Sequence, residues 1–128
     1  MRLLLDTQIL LWSAQGSGRL SRQAVELIED LGNELWFSVV SLWEISIKSG
    51  LGRTDFRVNS SALRRGLLEH GYHEMPVSGI HALLVRNLPP LHRDPFDRML
   101  ITQAQTESLT LLTSDSMVAS YPRAIVHV

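Results

Sequence analysis

Short apolar runs alternate with longer amphipathic segments along the chain, a pattern that predicts strands alternating with helices. The stretch Arg2–Thr7, in which three leucines are closed by an aspartate and a threonine, is typical of a short strand buried on both faces. Similar runs predict four further strands, at residues 35–38, 74–77, 109–113 and 124–128. Pro76 predicts an edge position for the third strand, because proline cannot donate a hydrogen bond to a neighbouring strand. The fifth strand is also predicted at an edge.

The amphipathic segments between these runs predict the helices. They cover residues 8–14, 21–31, 39–49, 60–70 and 78–87, and a strong last helix opens at Asp94 and Pro95. Ser21 is predicted to cap the second helix and Ser78 the fifth. The residues expected to face the core in the second and fourth helices are Ala24, Leu27, Ile28, Leu31, Leu63, Leu67 and Leu68.

Strands that alternate with helices favour a parallel sheet with helices on both faces. We therefore predict a three-layer α/β/α sandwich around a parallel sheet of four to five strands, built as a single domain over residues 1–128. Gly50–Asn59 is the loosest stretch of the chain and is predicted to be a mobile loop. It is too short to be a linker between domains.

Composition narrows the class of protein. An apolar content of 45% is ample for a buried core and excludes a disordered chain. The absence of cysteine excludes disulfides, zinc–thiolate sites and thiol nucleophiles. No apolar run reaches about 18 residues, so no membrane-spanning helix is predicted. The start at Met1 lacks a charged leader and a small-residue cleavage site, so a cytoplasmic location is expected.

A net charge of −1 argues at first against a nucleic-acid partner. Five of the 13 acidic residues, however, fall near predicted strand ends or helix starts: Asp6, Glu44, Asp94, Asp97 and Asp115. Without them, 8 acidic residues face 12 basic ones, a surplus of four positive charges. The available phosphate contacts are Arg64, Arg65, Arg86, Arg93 and Arg98. The alternative is that these arginines are ordinary solvated surface residues.

Four of the acids fall within a few residues of the carboxyl edge of the predicted sheet, where sites form in open parallel sheets. They are Asp6, Glu44, Asp97 and Asp115. Carboxylates that lie close together repel each other and need compensating charge. Oxygen ligands without cysteine or clustered histidine favour magnesium or manganese over zinc. Such a site suits phosphoryl chemistry, in which one metal activates water and a second steadies the leaving oxygen.

Each acid also has a purely structural interpretation. Glu44 follows Ser41 by three residues, as in a capping box, and precedes Lys48 by four, as in a helix ion pair. Helix caps or partners of a helix dipole are the alternative roles of Asp94, Asp97 and Asp115. Capping alone does not explain why the set falls at one edge of the sheet.

Four segments resemble the motifs of the PIN-domain family, and within it the VapC-type toxins of bacterial toxin–antitoxin pairs. They are residues 3–7 (LLLDT), 41–48 (SLWEISIK), 92–101 (HRDPFDRMLI) and 111–115 (LLTSD). Each segment alone is weak, but they run in the family's order and span nearly the whole chain. Met117 stands where an aromatic residue is common and Gln8 where histidine is common. Neither is a metal ligand, so both departures bear on packing or substrate fit more than on activity.

The resemblance implies a metal-dependent endoribonuclease that hydrolyses phosphodiester bonds in single-stranded or looped RNA and leaves 5′-phosphate and 3′-hydroxyl ends. The quartet that holds Mg²⁺ or Mn²⁺ corresponds to Asp6, Glu44, Asp97 and Asp115. Thr7 and Ser114 match hydroxyl-bearing neighbours that orient ligands or the attacking water. Asp94 and Arg98 flank the third acid and are assigned a supporting role. Lys48, the single lysine, balances the acids, touches a phosphate or simply pairs with the glutamate.

The resemblance also implies three partners, namely an RNA substrate, a second copy of the chain and a cognate antitoxin. The antitoxin's tail is expected to wrap the toxin and block the acidic site. Trp12, Trp36 and Trp43 are candidates for lining the groove that such a tail occupies. Burial in the core is the alternative for each of them.

Two other functional classes are compatible with parts of this pattern. A receiver-like signalling domain would need two adjacent acids after the first strand and a lysine after the last main strand. Here Thr7 follows Asp6, and Lys48 lies on an early predicted helix. The second alternative is a catalytically inactive binding module of the same fold, against which the intact acidic quartet argues.

Overall fold

A computed structural model describes residues 1–51 and 58–128 of the chain. Most of the loop predicted at Gly50–Asn59 therefore lies outside the described residues. The described part contains a five-stranded, entirely parallel sheet with helices on both faces, which confirms the predicted three-layer α/β/α sandwich. Within that part of the chain, no helix combines the length and the hydropathy that crossing a membrane requires.

All five predicted strands are present. They are β1 (Arg2–Leu5), β2 (Glu34–Ser38), β3 (His73–Met75), β4 (Thr110–Thr113) and β5 (Ile125–His127). Their order across the sheet is β3-β2-β1-β4-β5, so β1 lies at the centre and the two predicted edge strands lie at the edges. β3 begins one residue and ends two residues earlier than predicted, and Pro76, which has no N–H to donate, lies just beyond it.

The described helices are α1 (Thr7–Gln15), α2 (Arg22–Glu29), α3 (Val39–Gly50), α4 (Ser60–Glu69), α5 (Gly79–Leu84), α6 (Pro95–Thr106) and α7 (Ser116–Ala119). A short 3-10 helix at Val85–Asn87 continues α5. Ser21, Ser78 and Asp94 accept backbone N–H groups at the starts of α2, α5 and α6, as predicted. These caps explain why the helices begin where they do, because the first N–H groups of a helix have no partner within it.

The central strand divides the core into two layers, because successive side chains of a strand point to opposite faces. Leu4 packs with residues of α3, α6 and α7 on one face. Leu3 and Leu5 pack with residues of α1 and α4 on the other face. All three leucines are fully buried, and burying one such side chain stabilises a protein by roughly 2 kcal/mol. The strand is therefore a firm support for the residue that follows it, Asp6.

Two residues predicted to face the core are exposed instead. Leu31 lies beyond the end of α2, because Asp30 leaves the helical conformation and its carboxylate accepts the N–H of Gly32 at 2.8 Å. Leu68 is exposed because only Leu67 and the partly buried Leu63, four residues apart, share the inward face of α4.

Candidate active site

The acids predicted at the carboxyl edge of the sheet line one cavity of about 360 Å³, which we call the acidic cavity. Because β1, β2 and β4 are neighbours and run parallel, the segments that follow them meet at the same edge. The residues of the acidic cavity are Asp6, Thr7, Gln8, Glu44, Lys48, Asp94, Asp97, Ser114 and Asp115. Every sequence-predicted site residue except Arg98 is therefore brought to this cavity.

Asp6 occupies the end of β1 and caps α1. Its Oδ1 accepts the N–H of Ile9 at 2.9 Å, and its Oδ2 accepts the hydroxyl of Thr113. Burial raises the pKa of Asp6 to about 6, against the two hydrogen bonds, which lower it. The negative charges of Asp115 and Glu44 raise this pKa further. Two hydrogen bonds thus fix the Asp6 carboxylate in an environment that disfavours its ionised form.

Glu44 lies in the second turn of α3 and is buried. Its Oε1 accepts the hydroxyl of Thr7 at 2.8 Å, and its Oε2 accepts Lys48 Nζ at 2.6 Å. The helix pair with Lys48 therefore exists. The capping-box interpretation with Ser41 is wrong, because Ser38 caps α3 and Ser41 instead lies 2.9 Å from the Thr7 hydroxyl.

Asp97 lies in the first turn of α6 but does not cap it, because Asp94 is the N-cap. The Oδ1 of Asp94 accepts the N–H groups of Phe96 at 2.8 Å and of Asp97 at 3.1 Å. The Asp97 carboxylate instead lies 2.7 Å from the ring of His92, measured from Oδ2 to Nε2. Burial raises the pKa of Asp97 to about 6, and the hydrogen bond with His92 opposes this rise.

Asp115 caps the short helix α7, as its structural interpretation predicts. Its Oδ1 accepts the N–H groups of Met117 at 2.8 Å and Val118 at 3.3 Å. The N–H of Asp115 donates to the hydroxyl of Thr113, the same hydroxyl that bonds to Asp6. Thr113 thereby couples the ends of β1 and β4 and fixes the spacing of two acids.

Arg98 lies outside this group and lines a neighbouring cavity of about 440 Å³. Its guanidinium donates to the carbonyls of the connection between α5 and α6 and to the hydroxyl of Tyr121, at 3.1–3.3 Å. One of those carbonyls belongs to His92, so Arg98 reaches the acids only through the backbone of that residue. Its role as a phosphate contact conflicts with these bonds, which engage both terminal nitrogens.

The other proposed phosphate contacts differ among themselves. Arg64 forms an ion pair with Glu74 at 2.6 Å, an ordinary surface interaction. Arg65, Arg86 and Arg93 are exposed, and the last two line the same cavity as Arg98.

The three tryptophans differ in how far they are buried. Trp12 and Trp36 are partly buried against the core, in line with the burial interpretation. Burial is wrong for Trp43, which is 60% exposed and packs edge-on against Phe96 with ring centroids 5.1 Å apart. The sequence pattern of a helix does not show which of its faces another element covers.

Sequence reasoning gave no role in the site to three residues that the structure places against its side chains, namely Thr113, Ser41, which was considered only as a helix cap, and His92. The first two are buried hydroxyls whose contacts arise from residues more than thirty positions away. His92 opens one of the quoted motif segments, and its position five residues before Asp97 was the available signal.

The donor set of the acidic cavity fits a hard divalent cation. Among the described residues, five carboxylates and one ammonium group line this cavity. Two of these carboxylates have a raised pKa, chiefly because burial disfavours their ionised form and to a smaller extent because neighbouring carboxylates repel them. Hydroxyls and carboxylates are the oxygen ligands that Mg²⁺ and Mn²⁺ prefer.

The family model of the PIN domain matches residues 3–124 of this chain, a span that includes all the acids of the cavity. The chain belongs to the PIN-domain family. No curated protein sequence matches this PIN domain at a significant level.

Solved structures of similar fold agree with the family assignment. The PIN domain is similar to a chain of VapBC2 from Rickettsia felis bound to a promoter DNA fragment, with a TM-score of 0.73 at 15% identity over 99% of this chain and 98% of that one. A toxin–antitoxin complex from Klebsiella pneumoniae gives 0.67 at 17% identity, over 97% and 95%. VapBC-5 from Mycobacterium tuberculosis, a member of the VapBC family of toxin–antitoxin systems, gives 0.63 at 19%, over 99% and 97%. At these identities the similarity shows a shared fold.

Proposed function

We propose that this PIN domain is a metal-dependent endoribonuclease and acts as the VapC-type toxin of a toxin–antitoxin pair. The observation that carries the proposal is the convergence of Asp6, Glu44, Asp97 and Asp115 on one cavity at the carboxyl edge of the sheet. The similar folds in toxin–antitoxin complexes support the biological role.

The same four carboxylates would hold Mg²⁺ or Mn²⁺. When bound, the ion supplies the Lewis acidity that activates water for attack on a phosphodiester of single-stranded or looped RNA. Thr113 and the N-terminus of α1 fix Asp6, so its carboxylate needs little reorganisation on binding. Thr7 and Lys48 fix Glu44 in the same way.

Around this centre, the chain's own groups orient the substrate and position water. Ser114 lines the cavity between Thr113 and Asp115 and offers a hydroxyl to a ligand there. Lys48 places positive charge beside the acids, where it would face a phosphate. Arg86 and Arg93 are exposed and remain candidates for flanking phosphates.

The alternative functional classes are less well supported. A receiver-like domain needs a second acid beside Asp6, and the adjacent residue is Thr7, whose hydroxyl donates to Glu44. An inactive binding module has no need for four carboxylates in a cavity that raises the pKa of two of them.

The proposed protein partners are a cognate antitoxin and a second copy of the chain. Exposed apolar residues on and beside α5 support a protein contact, since large exposed apolar surfaces mark interaction sites. This α5 surface consists of Val77, Ile80, Leu83 and Leu84, which are 40–73% exposed. We propose that a second copy of the chain covers it.

The test of the nuclease assignment is cleavage of RNA by purified wild type, Asp6→Asn and Asp97→Asn proteins, with Mg²⁺, with Mn²⁺ and with a chelator. We expect metal-dependent cleavage by the wild type, and in each variant a loss greater than the roughly 10–100-fold caused by removing a residue that only supports a ligand, because each variant loses a charge that binds the ion. Asp30→Asn is the matched control, since Asp30 is exposed and an asparagine still accepts the N–H of Gly32.

Circular dichroism of each variant checks that the fold is retained. Full cleavage by folded Asp6→Asn and Asp97→Asn proteins, or wild-type cleavage that persists in the chelator, would contradict the assignment.

A further inference from the structure

His92 is placed against the acidic cavity by more than its hydrogen bond to Asp97. Its N–H donates to the hydroxyl of Tyr121 at 2.9 Å, and its carbonyl accepts Arg98 Nη1 at 3.3 Å. Arg98 also donates to the Tyr121 hydroxyl, at 3.2 Å, and Tyr121 is itself buried. The backbone of His92 is thus fixed on both sides by residues of α6 and of the segment after α7.

The ring of His92 meets a carboxylate that lacks other support. Asp6 and Asp115 each accept backbone N–H groups that hold them in place. Of the hydrogen bonds among the described residues, only the one from His92 reaches the side chain of Asp97. His92 and Asp97 are both mostly shielded from water, with side-chain exposures of 17% and 19%.

The geometry favours a role for His92 as a hydrogen-bond donor rather than as a ligand. Nε2 lies 2.7 Å from Oδ2, and in the tautomer with the proton on Nε2 the ring donates to the ionised carboxylate, so this nitrogen has no lone pair left for a cation. Metal-binding carboxylates are commonly oriented by such hydrogen bonds, and the loss of one typically weakens metal binding 10–100-fold.

We propose that His92 is the positioning residue of Asp97, which it holds in the orientation that binds the divalent cation, and that Tyr121 and Arg98 fix His92 for this purpose. The proposal rests on the proposed function, because it presumes that Asp97 is a metal ligand. It accounts for two of the five hydrogen bonds of Arg98, those to the His92 carbonyl and the Tyr121 hydroxyl, although Arg98 itself does not line the acidic cavity.

The test measures Mn²⁺ affinity by titration calorimetry, without RNA, for wild type, His92→Ala, His92→Gln and Asp97→Asn. We expect His92→Ala to weaken binding about tenfold. His92→Gln, which keeps an N–H donor of similar reach, restores most of the affinity. His70→Ala is the control, because His70 is an exposed histidine at the end of α4 and should leave the affinity unchanged.

A second measurement tests whether His92 is itself a ligand. Pulsed electron paramagnetic resonance of Mn²⁺ bound to wild-type protein labelled with ¹⁵N-histidine should show no ¹⁵N coupling, because His92 is not a ligand. A clear ¹⁵N coupling that disappears in His92→Gln would overturn the proposal in favour of direct ligation.

The outcomes separate the two proposals. If Asp97→Asn binds Mn²⁺ as the wild type does, the metal site itself is wrong and the proposed function fails with it. If Asp97→Asn loses binding while His92→Ala keeps it, only the role of His92 is wrong. A His92→Gln protein as weak as His92→Ala would also overturn the proposal, because hydrogen-bond donation would then not be the cause.

Discussion

At the scale of single residues, capping a helix and serving a site are compatible roles for the same carboxylate. Asp6, Asp94 and Asp115 each use Oδ1 to accept backbone N–H groups at the start of a helix. A carboxylate has a second oxygen, and these three side chains still line the acidic cavity. The helix start fixes the side chain, and the cavity receives a carboxylate whose position is already determined.

Without a bound cation, the buried carboxylates of the acidic cavity destabilise the folded protein, and the size of this effect depends on pH. The pKa of Asp6 and that of Asp97 are raised from 3.8 to about 6, so the folded protein holds protons that the unfolded chain releases. The free energy of unfolding of the metal-free protein should therefore fall as the pH rises from about 4 through about 6. For Asp6 alone, the shift corresponds to ~3 kcal/mol.

Asp6→Asn tests this cost, since asparagine resembles the neutral form of the acid. In a chelator, the variant should be more stable than the wild type at pH 7.5 by roughly 1–3 kcal/mol and similar to it at pH 4. Urea unfolding at the two pH values measures the difference, with Asp30→Asn as the control. A variant less stable than the wild type at pH 7.5 would show that ionised Asp6 is not destabilising.

At the scale of elements, most of the predictions that depend on local chemistry are confirmed, although the capping box of Ser41 and Glu44 is not. Caps at Ser21, Ser78 and Asp94 begin helices because the interaction involves only residues two or three positions apart. The strand ends followed from apolar runs, and the acids were found because they come just after those runs. The positions of Leu31 and Trp43 were wrong because exposure depends on neighbours that a local pattern does not contain.

A local sequence pattern also does not show which side chains form hydrogen bonds between different elements. Gln103 of α6 is fully buried, accepts the Ser38 hydroxyl at 2.6 Å and donates to the carbonyl of Pro76 at 3.2 Å. Its amide also lies 3.4 Å from Nδ1 of the buried His81. One side chain thus connects the end of β2, the segment after β3 and the start of α5, and nothing in its sequence neighbourhood indicates this.

Gln103→Leu should therefore destabilise the protein by roughly 1–3 kcal/mol, because it leaves the buried Ser38 hydroxyl without its acceptor. Gln105→Leu is the matched control on the same helix. Gln105 is exposed, and within the described part of the chain its side chain accepts only the Arg123 guanidinium, so its replacement should cost less than about 0.5 kcal/mol. Urea unfolding compares the two variants, and equal losses would mean that the buried network contributes nothing specific.

At the scale of the whole molecule, the apolar surface is distributed unevenly. The sheet and its flanking helices bury the leucines of β1 completely, yet the α5 surface leaves Ile80 61% and Leu83 73% exposed. A helix of six residues with apolar side chains facing water gains little stability by itself. Its composition is explained if a second copy of the chain covers it.

The double substitution Ile80→Glu and Leu83→Glu should dissociate the proposed homodimer, because burying unpaired carboxylates in an interface has a large free-energy cost. Light scattering coupled to size-exclusion chromatography should find the wild type at twice the chain mass and the double variant at the mass of one chain. Leu31→Glu is the control, since Leu31 is an exposed leucine that lies beyond the end of α2 and is not part of the α5 surface. A wild type that is monomeric, or a double variant that stays dimeric, would show that the α5 surface is not the contact between copies. Unchanged Mn²⁺ affinity in the double variant would then show that the residues of one chain that line the acidic cavity suffice to bind the ion.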